Sequence, residues 1–145
     1  MPVEKFNQSV LVFLTICTKD RKRILASDLM HRRLTAAWEQ AGNWLVGRYV
    51  VLPDHVHLFC APGSYPVYPL GRWIAYWKRL VTQSAPDVVD GSVWQQNYWD
   101  TQLRRGESYS AKWEYVRCNP VRHGLVSSAE DWPWQGEMNR FMWHD

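Results

Sequence analysis

Two histidines separated by one residue stand out in an apolar stretch of the chain. They are His55 and His57, in "VVLPDHVHLFC" (residues 50 to 60). On a β-strand, side chains at positions i and i+2 project from the same face, so these imidazoles would point together while Val56 and Leu58 enter a core. Two neutral imidazoles supply half of a divalent-metal site. One buried, hydrogen-bonded histidine beside an incidental one would give the same pattern.

A second pair of reactive groups lies in "WEYVRCNP". Tyr115 and Asn119 are four residues apart, so a helix would place them on one face, a turn apart. A deprotonated phenol can attack phosphorus, and an amide oxygen is a hard ligand suited to Mg²⁺ or Mn²⁺. Pro120 disfavours helical angles at Asn119, so the helix would bend or end there. An ordinary half-buried tyrosine on an amphipathic helix would show the same spacing.

The strands that must position these residues are predicted from apolar, β-branched runs. "QSVLVFLTICTKD" predicts a buried strand that leads into a basic turn. "NWLVGRYVVLP" and "HVHLFCAPG" predict an antiparallel hairpin that turns at Pro53 and Asp54. "SVWQQNYWDTQLR" predicts a further strand or two, and the aromatic tail "DWPWQGEMNRFMWHD" is expected to lie across the domain.

Three amphipathic helices are predicted between start and stop signals. The first, "DLMHRRLTAAWEQAG", ends at Gly42 and has an apolar side formed by Leu29, Leu34, Ala37 and Trp38. The second, "LGRWIAYWKRLVTQSA", is ended by Pro86, and the third, "SYSAKWEYVRCNPVRHGLV", begins at Ser108 and stops at Gly124. The order strand, helix, hairpin, helix, strand, helix predicts an α+β fold, with an antiparallel sheet covered by helices.

Size and composition indicate one globular domain spanning residues 1–145. The chain has 145 residues, of which 46% are hydrophobic and 21% charged. The longest apolar runs are too short to span a membrane, and no secretory leader is recognised, so we expect a cytoplasmic protein. The cysteines, Cys17, Cys60 and Cys118, have no paired spacing and predict no disulfide framework.

The charge pattern gives a local rather than a global indication of a polyanionic partner. The net charge is only +3, but cations cluster in places. The candidate phosphate contacts are Lys19, Arg21, Lys22, Arg23, Arg72, Lys78, Arg79, Arg104 and Arg105. Many of these would be ordinary solvated charges. Most of the ten tryptophans are expected to pack, and a minority could stack on unpaired bases.

Three segments in order give the chain a familiar appearance: "VVLPDHVHLF", then "WQQNYWDTQLRRGESYSAKWEYVRCNPVRHGLV", then "DWPW". The combination resembles the REP-associated tyrosine transposases, bacterial members of the HUH (His, hydrophobic, His) superfamily of single-tyrosine transposases. The resemblance implies that His55 and His57 bind a metal, that Tyr115 is the nucleophile and that Asn119 is the third ligand. It also implies a ferredoxin-like antiparallel sheet with helices packed on one face, the HUH endonuclease fold.

The implied activity is a metal-dependent single-stranded DNA endonuclease and strand transferase. Mg²⁺ or Mn²⁺ would polarise a phosphate in a REP-like palindromic hairpin, and Tyr115 would form a 5′-phosphotyrosine link. A free phenol has a pKa of about 10, so it needs a nearby cation to react at neutral pH. Nucleoid association and a monomer are expected, with a dimer that shares its sites as the alternative. The chain has Thr101 where the family often carries a histidine, and it ends soon after "DWPW".

Other functions fit these residues less well. The histidine-triad hydrolases need a third histidine where this chain has Phe59. A zinc hydrolase could use the two histidines with Asp54 or Asp100, but it would have no need of Tyr115. The main alternative is a domesticated protein that binds hairpin DNA without turnover. The presence of all four candidate site residues favours the enzyme.

Overall fold

A computed structural model of the chain describes residues 10–84 and 93–143, together with the backbone of residues 3–7. The predicted helix stop at Pro86 lies outside the described residues. Within the described part, no helix is long and apolar enough to cross a membrane.

A five-stranded antiparallel sheet forms the centre of the fold. The strands are β2 (Val12–Cys17), β3 (Trp44–Val51), β4 (His55–Pro62), β5 (Trp99–Gln102) and β6 (Gln135–Glu137). Their spatial order in the sheet is β5-β2-β4-β3-β6. The predicted hairpin is confirmed as β3 and β4, and the N–H of Leu52 donates to the carbonyl of His55 across its turn at 2.8 Å. The candidate metal ligands therefore lie at the start of a central strand.

Two helices, α1 (Asp28–Gln40) and α2 (Leu70–Gln83), pack together on one face of this sheet. Both were predicted from the sequence. Their buried side chains meet the inward-facing residues of β2 and β4, among them Leu14 and Leu58. Trp38 and Trp77 pack edge to face, with ring centroids 5.8 Å apart. This helix-covered face contains the larger of the two apolar clusters.

The opposite face is covered in part by α3 (Tyr109–Arg117) and α4 (Asn119–Arg122). The predicted third helix is thus two helices, interrupted near Pro120 as expected. The hydroxyl of Ser108 accepts from the N–H of Ala111, which confirms the predicted N-cap. Gly124, with φ 71°, occupies the left-handed region just after α4, as its predicted role as a stop requires. Because α3 and α4 lie here, helices cover both faces of the sheet rather than one.

The tail does lie across the domain, as predicted, but it also contributes strands that the sequence did not reveal. Besides β6, these are β7 (Asn139–Met142) and its parallel partner β1 (Val3–Asn7). The indole N–H of Trp132 donates to the carbonyl of Val51 at 2.9 Å. Gly136 fits where it does because a Cβ there would meet the hydroxyl of Tyr49 at 2.8 Å.

One residue of the predicted apolar side of α1 is wrong. Leu29 is 44% exposed, and Met30 is buried in its place, together with Leu34, Ala37 and Trp38. The buried positions 30, 34, 37 and 38 follow the i, i+4, i+7, i+8 pattern of a helix face. Leu29 lies one residue ahead of that stripe, in the first turn, and points to solvent.

Candidate functional site

The two histidines project from the same face of β4, as their spacing predicted. Their ring centroids are 4.7 Å apart and the rings are nearly perpendicular. His55 is buried and His57 half-buried. Val56 and Leu58, the alternate residues, are fully buried on the side of the sheet that α1 and α2 cover. The pair is therefore an arrangement of neighbouring imidazoles on the side of the sheet away from α1 and α2.

Each imidazole is fixed through its Nδ1 atom. His55 Nδ1 lies 2.7 Å from a carboxylate oxygen of Asp54, and His57 Nδ1 lies 2.9 Å from the hydroxyl of Thr15 on β2. An ionised carboxylate only accepts, so His55 Nδ1 carries the proton, and Thr15 can accept from His57 in the same way. Both Nε2 atoms are then lone-pair donors. Metal-binding histidines are held in this manner, with the other ring nitrogen donating to a fixed acceptor.

The electrostatics of the site keep both imidazoles neutral. Burial, with a smaller contribution from the nearby groups His55, His123 and Arg122, lowers the pKa of His57 to about 3. Burial also lowers the pKa of His55, although the hydrogen bond to Asp54 opposes this effect. At neutral pH both rings are therefore uncharged, the state that can donate a lone pair to a cation.

Asp54 connects the histidines to the basic turn that follows β2. Burial raises the pKa of its carboxyl group, but hydrogen bonds to His55 and Arg21 outweigh burial, so the pKa is lowered. Arg21 Nε donates to Asp54 at 2.9 Å. Two successive residues of this turn, Asp20 and Arg21, have φ of 58° and 53°, in the left-handed region that non-glycine residues rarely adopt. This conformation places the Arg21 side chain against Asp54.

Tyr115 lies in the last turn of α3 with its side chain in solvent. It is 69% exposed, which is unusual for a large aromatic residue that has only a packing role. The guanidinium of Arg122, from α4, sits 4.0 Å from the centroid of the phenol ring and also donates to the Tyr115 carbonyl at 2.8 Å. The arrangement presents a phenol with a cation held against its ring.

Asn119 begins α4, directly after the helix break at Cys118. Its side-chain amide nitrogen donates to the carbonyl of Val116 at 2.8 Å. That hydrogen bond satisfies the exposed end of α3 and leaves the amide oxygen of Asn119 as the group that can accept or coordinate.

Contacts on the histidine side of the sheet connect these elements. Phe13 on β2 stacks on His57, with ring centroids 5.4 Å apart, and also lines a groove beside Tyr115. His123, which follows α4, has its ring centroid 6.0 Å from that of His55. Within the described residues, no group of three or more His, Cys, Asp or Glu side chains is arranged to hold a metal ion. A metal held by the two histidines would therefore draw a further protein ligand from another residue type, such as the amide of Asn119.

The predicted DNA-contacting cations divide into two sets. One set lies in turns at the two ends of β2: Lys19, Arg21, Lys22 and Arg23 follow β2 next to Asp54 and His55, whereas Arg104 and Arg105 follow β5, which ends beside Val12 at the opposite end of β2. The other set, Arg72, Lys78 and Arg79, lies on α2 on the opposite face of the sheet. There Lys78 donates to the carbonyl of Gln95 at 3.0 Å, and Arg79 stacks on Tyr76. The structure does not bring this second set to the histidine face.

Sequence reasoning considered Asp54 only as a possible zinc ligand and did not single out Thr15, Arg122 or His123. Thr15 and Asp54 fix the histidines, Arg122 contacts Tyr115, and His123 faces His55. Arg122 and His123 were visible only as part of the "NPVRHGLV" segment. Their contacts depend on the turn between α3 and α4, which no local pattern specifies.

Comparison with known proteins gives this site a context. No protein-family model matches the chain. Over 144 residues it is 27% identical to a Haemophilus influenzae protein provisionally named a REP-associated tyrosine transposase, covering 89% of this chain and 80% of that protein. It is 28% identical over 90 residues to the REP-associated tyrosine transposase of Escherichia coli K12, covering 61% of this chain and 51% of that protein. This chain therefore spans about half the length of the second relative.

Solved structures of similar shape agree with these sequence matches. A REP-associated tyrosine transposase bound to a REP hairpin superposes with a TM-score of 0.72 at 23% identity, covering 90% of this chain and 78% of that one. The chain is similar in sequence to proteins named as REP-associated tyrosine transposases, and it shares the fold of this solved structure. A Deinococcus radiodurans protein provisionally described as a transposase has a TM-score of 0.52 at 17% identity, covering 81% of this chain and 92% of that one.

The comparison confirms two predictions. The resemblance to the REP-associated tyrosine transposases, first seen in the "HVH" and "NPVRHGLV" segments, is confirmed by the named relatives. The α+β fold, with its antiparallel sheet and packed helices, is confirmed by the superposition on the hairpin-bound transposase.

Proposed function

We propose that this chain is a metal-dependent endonuclease and strand transferase that cuts single-stranded DNA beside a REP-like hairpin, with Tyr115 as nucleophile. One observation carries the proposal. Two neutral imidazoles, fixed through Nδ1, and an exposed phenol in contact with a cation lie on the same side of one sheet. A protein that only binds DNA has no evident need of this combination.

The donor set fits a divalent ion. The Nε2 atoms of His55 and His57 and the amide oxygen of Asn119 are two borderline nitrogen donors and one hard oxygen donor, which suit Mn²⁺ and are compatible with Mg²⁺. When bound there, such an ion would withdraw charge from a phosphate oxygen. Asp54 and Thr15 would keep the two imidazoles oriented, because each accepts a hydrogen bond from an Nδ1–H group.

The reaction follows from the chemistry of the phenol. The Tyr115 oxygen loses its proton and attacks the phosphorus of a phosphodiester, forming one O–P bond while the bond to the 3′-oxygen breaks. The protein then carries a 5′-phosphotyrosine, and the leaving strand ends in a 3′-hydroxyl once it takes up a proton. Because the phosphotyrosine is itself a diester, a 3′-hydroxyl can attack it and rejoin strands with no nucleotide cofactor.

Arg122 is well placed to assist this step. Its guanidinium is fixed by the Tyr115 carbonyl and lies against the phenol ring, so it adds a positive charge where negative charge develops. A guanidinium also binds phosphate oxygens in a planar, two-point geometry. We assign Arg122 to holding the phenol and receiving the attacked phosphate.

The DNA partner is proposed from the relatives and from the charge around the site. A structural neighbour is described as bound to a REP hairpin, and the turn that carries Lys19, Arg21, Lys22 and Arg23 places cations next to Asp54 and the histidine pair. Phosphate contacts of this kind position a strand without reading its sequence. The turn after β2 is linked to the metal-binding residues through Arg21 and Asp54, so a bound strand there would pass close to them.

The deciding experiment looks for the covalent product. Hairpin oligonucleotides from palindromic repeats flanking the gene, with single-stranded tails, are incubated with the protein and Mg²⁺ or Mn²⁺. We expect a protein–DNA adduct that survives denaturation and maps to Tyr115. Tyr115→Phe and a chelator should each abolish it. Tyr65→Phe is the matched control, because Tyr65 is 72% exposed but lies beyond the far end of β4 from His55.

The same experiment separates the alternatives. Tight hairpin binding by the wild-type protein without an adduct would indicate the domesticated, non-catalytic binder. Cleaved DNA without a protein adduct, and with Tyr115→Phe still active, would indicate a hydrolase that uses metal-activated water. Either result would reject the tyrosine mechanism.

A further inference from the structure

The groove next to Tyr115 has no role in the reaction described above. It lies between α3 and the sheet, has a volume of about 320 Å³, and is lined by Phe13, Phe59, Ala111, Lys112, Tyr115 and Val116. This volume falls at the small end of the range for ligand pockets, about 300–1,000 Å³.

The sheet side of the groove is aromatic. Phe13 is half-buried and offers ring surface, while Phe59 is fully buried next to it, with ring centroids 5.0 Å apart. Phe13 also stacks on His57 at an interplanar angle of 23°. Phe13 contacts both of these rings, which fixes its orientation, and the part of its ring that remains exposed is an aromatic surface.

The rim of the groove is charged and open. Lys112 is 41% exposed and is oriented by Glu107, with Nζ and Oε2 2.7 Å apart. On the other side the sheet ends at the edge strand β5, all four residues of which are exposed. Trp99, 57% exposed, pairs with Thr15, and Thr15 pairs with His57, so all three project from one face. A strand of DNA could approach along this edge.

We infer that this groove is a subsite for one unpaired nucleobase, from a nucleotide adjoining the phosphate attacked by Tyr115. The inference rests on the proposed function for its substrate class. A base has a flat face that stacks on Phe13 and a backbone whose phosphate suits Lys112, and stacking of this kind tolerates any base. Tyr115 lines the groove and also carries the attacking oxygen, so a base held there would place its own phosphate beside that oxygen.

The test compares the effect of removing single bases from the DNA on binding to the wild-type protein and on binding to a variant whose groove is filled. Ala111→Leu adds bulk inside the groove at an exposed helix position, so the fold is expected to tolerate it. Ser110→Leu is the matched control, since the neighbouring exposed residue does not line the groove. The probe is the hairpin that the wild-type protein binds most tightly, made with an abasic site at each unpaired position in turn. Affinity is measured by fluorescence anisotropy.

We expect one abasic position to weaken binding to the wild-type protein and to Ser110→Leu by about tenfold, the effect of losing one stacked base. The same abasic site should change binding to Ala111→Leu by less than about twofold. Phe13→Leu, which keeps apolar volume but removes the ring, should behave like Ala111→Leu. If no position shows this difference between the variants, the groove is not a base subsite.

The readout keeps this inference separate from the proposed function. Binding is measured without turnover, so a protein that forms no adduct still reports whether a base enters the groove. An adduct on Tyr115 with no position coupled to Ala111 would retain the transesterase and reject the subsite. If one abasic position weakened binding to the wild-type protein but not to Ala111→Leu, and no adduct formed, the subsite would be retained and the transesterase rejected.

Discussion

The two faces of the central sheet differ in what their residues do. On the face covered by α1 and α2, Leu14, Leu58, Trp38 and Trp77 are fully or almost fully buried and form part of a continuous apolar core. On the other face, the same two strands present Thr15 and His57, which hydrogen-bond to each other. That face is covered only in part, and β5 at its edge is exposed.

Along β2 and β4, residues that stabilise the core therefore alternate with residues that form the candidate site. A side chain and its neighbour along the strand lie on opposite faces, so substitutions at adjacent positions should have different consequences. The candidate site can vary without loss of the core, provided that the strand keeps its register. Substitutions and pH can test this separation, beginning with the largest expected effect.

The sharpest test compares adjacent residues of β4. His57→Gln removes a candidate metal ligand and should reduce the rate of adduct formation by more than about 100-fold. Loss of a residue that only hydrogen-bonds to a metal ligand already lowers metal affinity or activity by about 10–100-fold. Leu58→Ala should instead lower the free energy of unfolding by about 2–5 kcal/mol, since it leaves a cavity in the core. Single-turnover adduct kinetics and urea unfolding measure the two effects.

In this comparison Leu58→Ala should keep a near-normal adduct rate at temperatures where it remains folded. If Leu58→Ala failed to form the adduct while still folded, or if His57→Gln kept forming it, the two faces would not be separate in the way described.

The second test uses pH and the buried imidazole of His57. Its pKa is lowered from 6.5 to about 3 in the folded protein, so between these values the unfolded chain binds the extra proton. The contribution of His57 to the free energy of unfolding is therefore complete above about pH 6.5 and decreases as the pH falls toward 3. At pH 4.5 the loss should be about 2–3 kcal/mol, from the standard 1.36 kcal/mol per pKa unit.

Urea unfolding of the metal-free protein at pH 7 and pH 4.5 measures this loss. His57→Gln, which has no titrating group there, should show a pH dependence smaller by the same amount. An equal pH dependence in the two proteins would mean that His57 does not remain neutral in the folded state.

The smallest expected difference concerns the cations on the two faces. Lys22→Ala combined with Arg23→Ala should weaken hairpin binding several-fold. The slope of log binding constant against log salt concentration should become shallower by about one for each phosphate that is no longer neutralised. Arg72→Ala combined with Arg79→Ala, on α2, should change the affinity by less than about twofold. Binding titrations over a series of salt concentrations distinguish the pairs. A larger effect from the α2 pair would place DNA on the opposite side of the sheet.

The sequence was informative where function or packing depends on local spacing. The i, i+2 spacing of His55 and His57 predicted their common face, and Pro120 predicted the helix break near Asn119. The helix positions of α1 and α2 followed from their periodicity, although Leu29 was placed on the wrong side because the stripe begins at Met30.

The rest depends on contacts between distant segments. β6 is three residues long and includes Gly136, so it has too few alternating residues to be recognised as a strand. Which face of the sheet receives α2 cannot be read from α2 itself, so Arg72 and Arg79 were grouped with the other cations. Arg122 reaches Tyr115 only because the chain turns between α3 and α4.

The turn between β3 and β4 has a consequence for how this protein can diverge. The backbone N–H of Leu52 donates to the carbonyl of His55, the first residue of the histidine pair. This hydrogen bond closes the turn and sets the point at which β4 begins. Inserting or deleting one residue between that turn and Phe59 would exchange the two faces, moving imidazoles into the core and Leu58 into the site. Natural variants of this segment should therefore differ by substitution and keep its length.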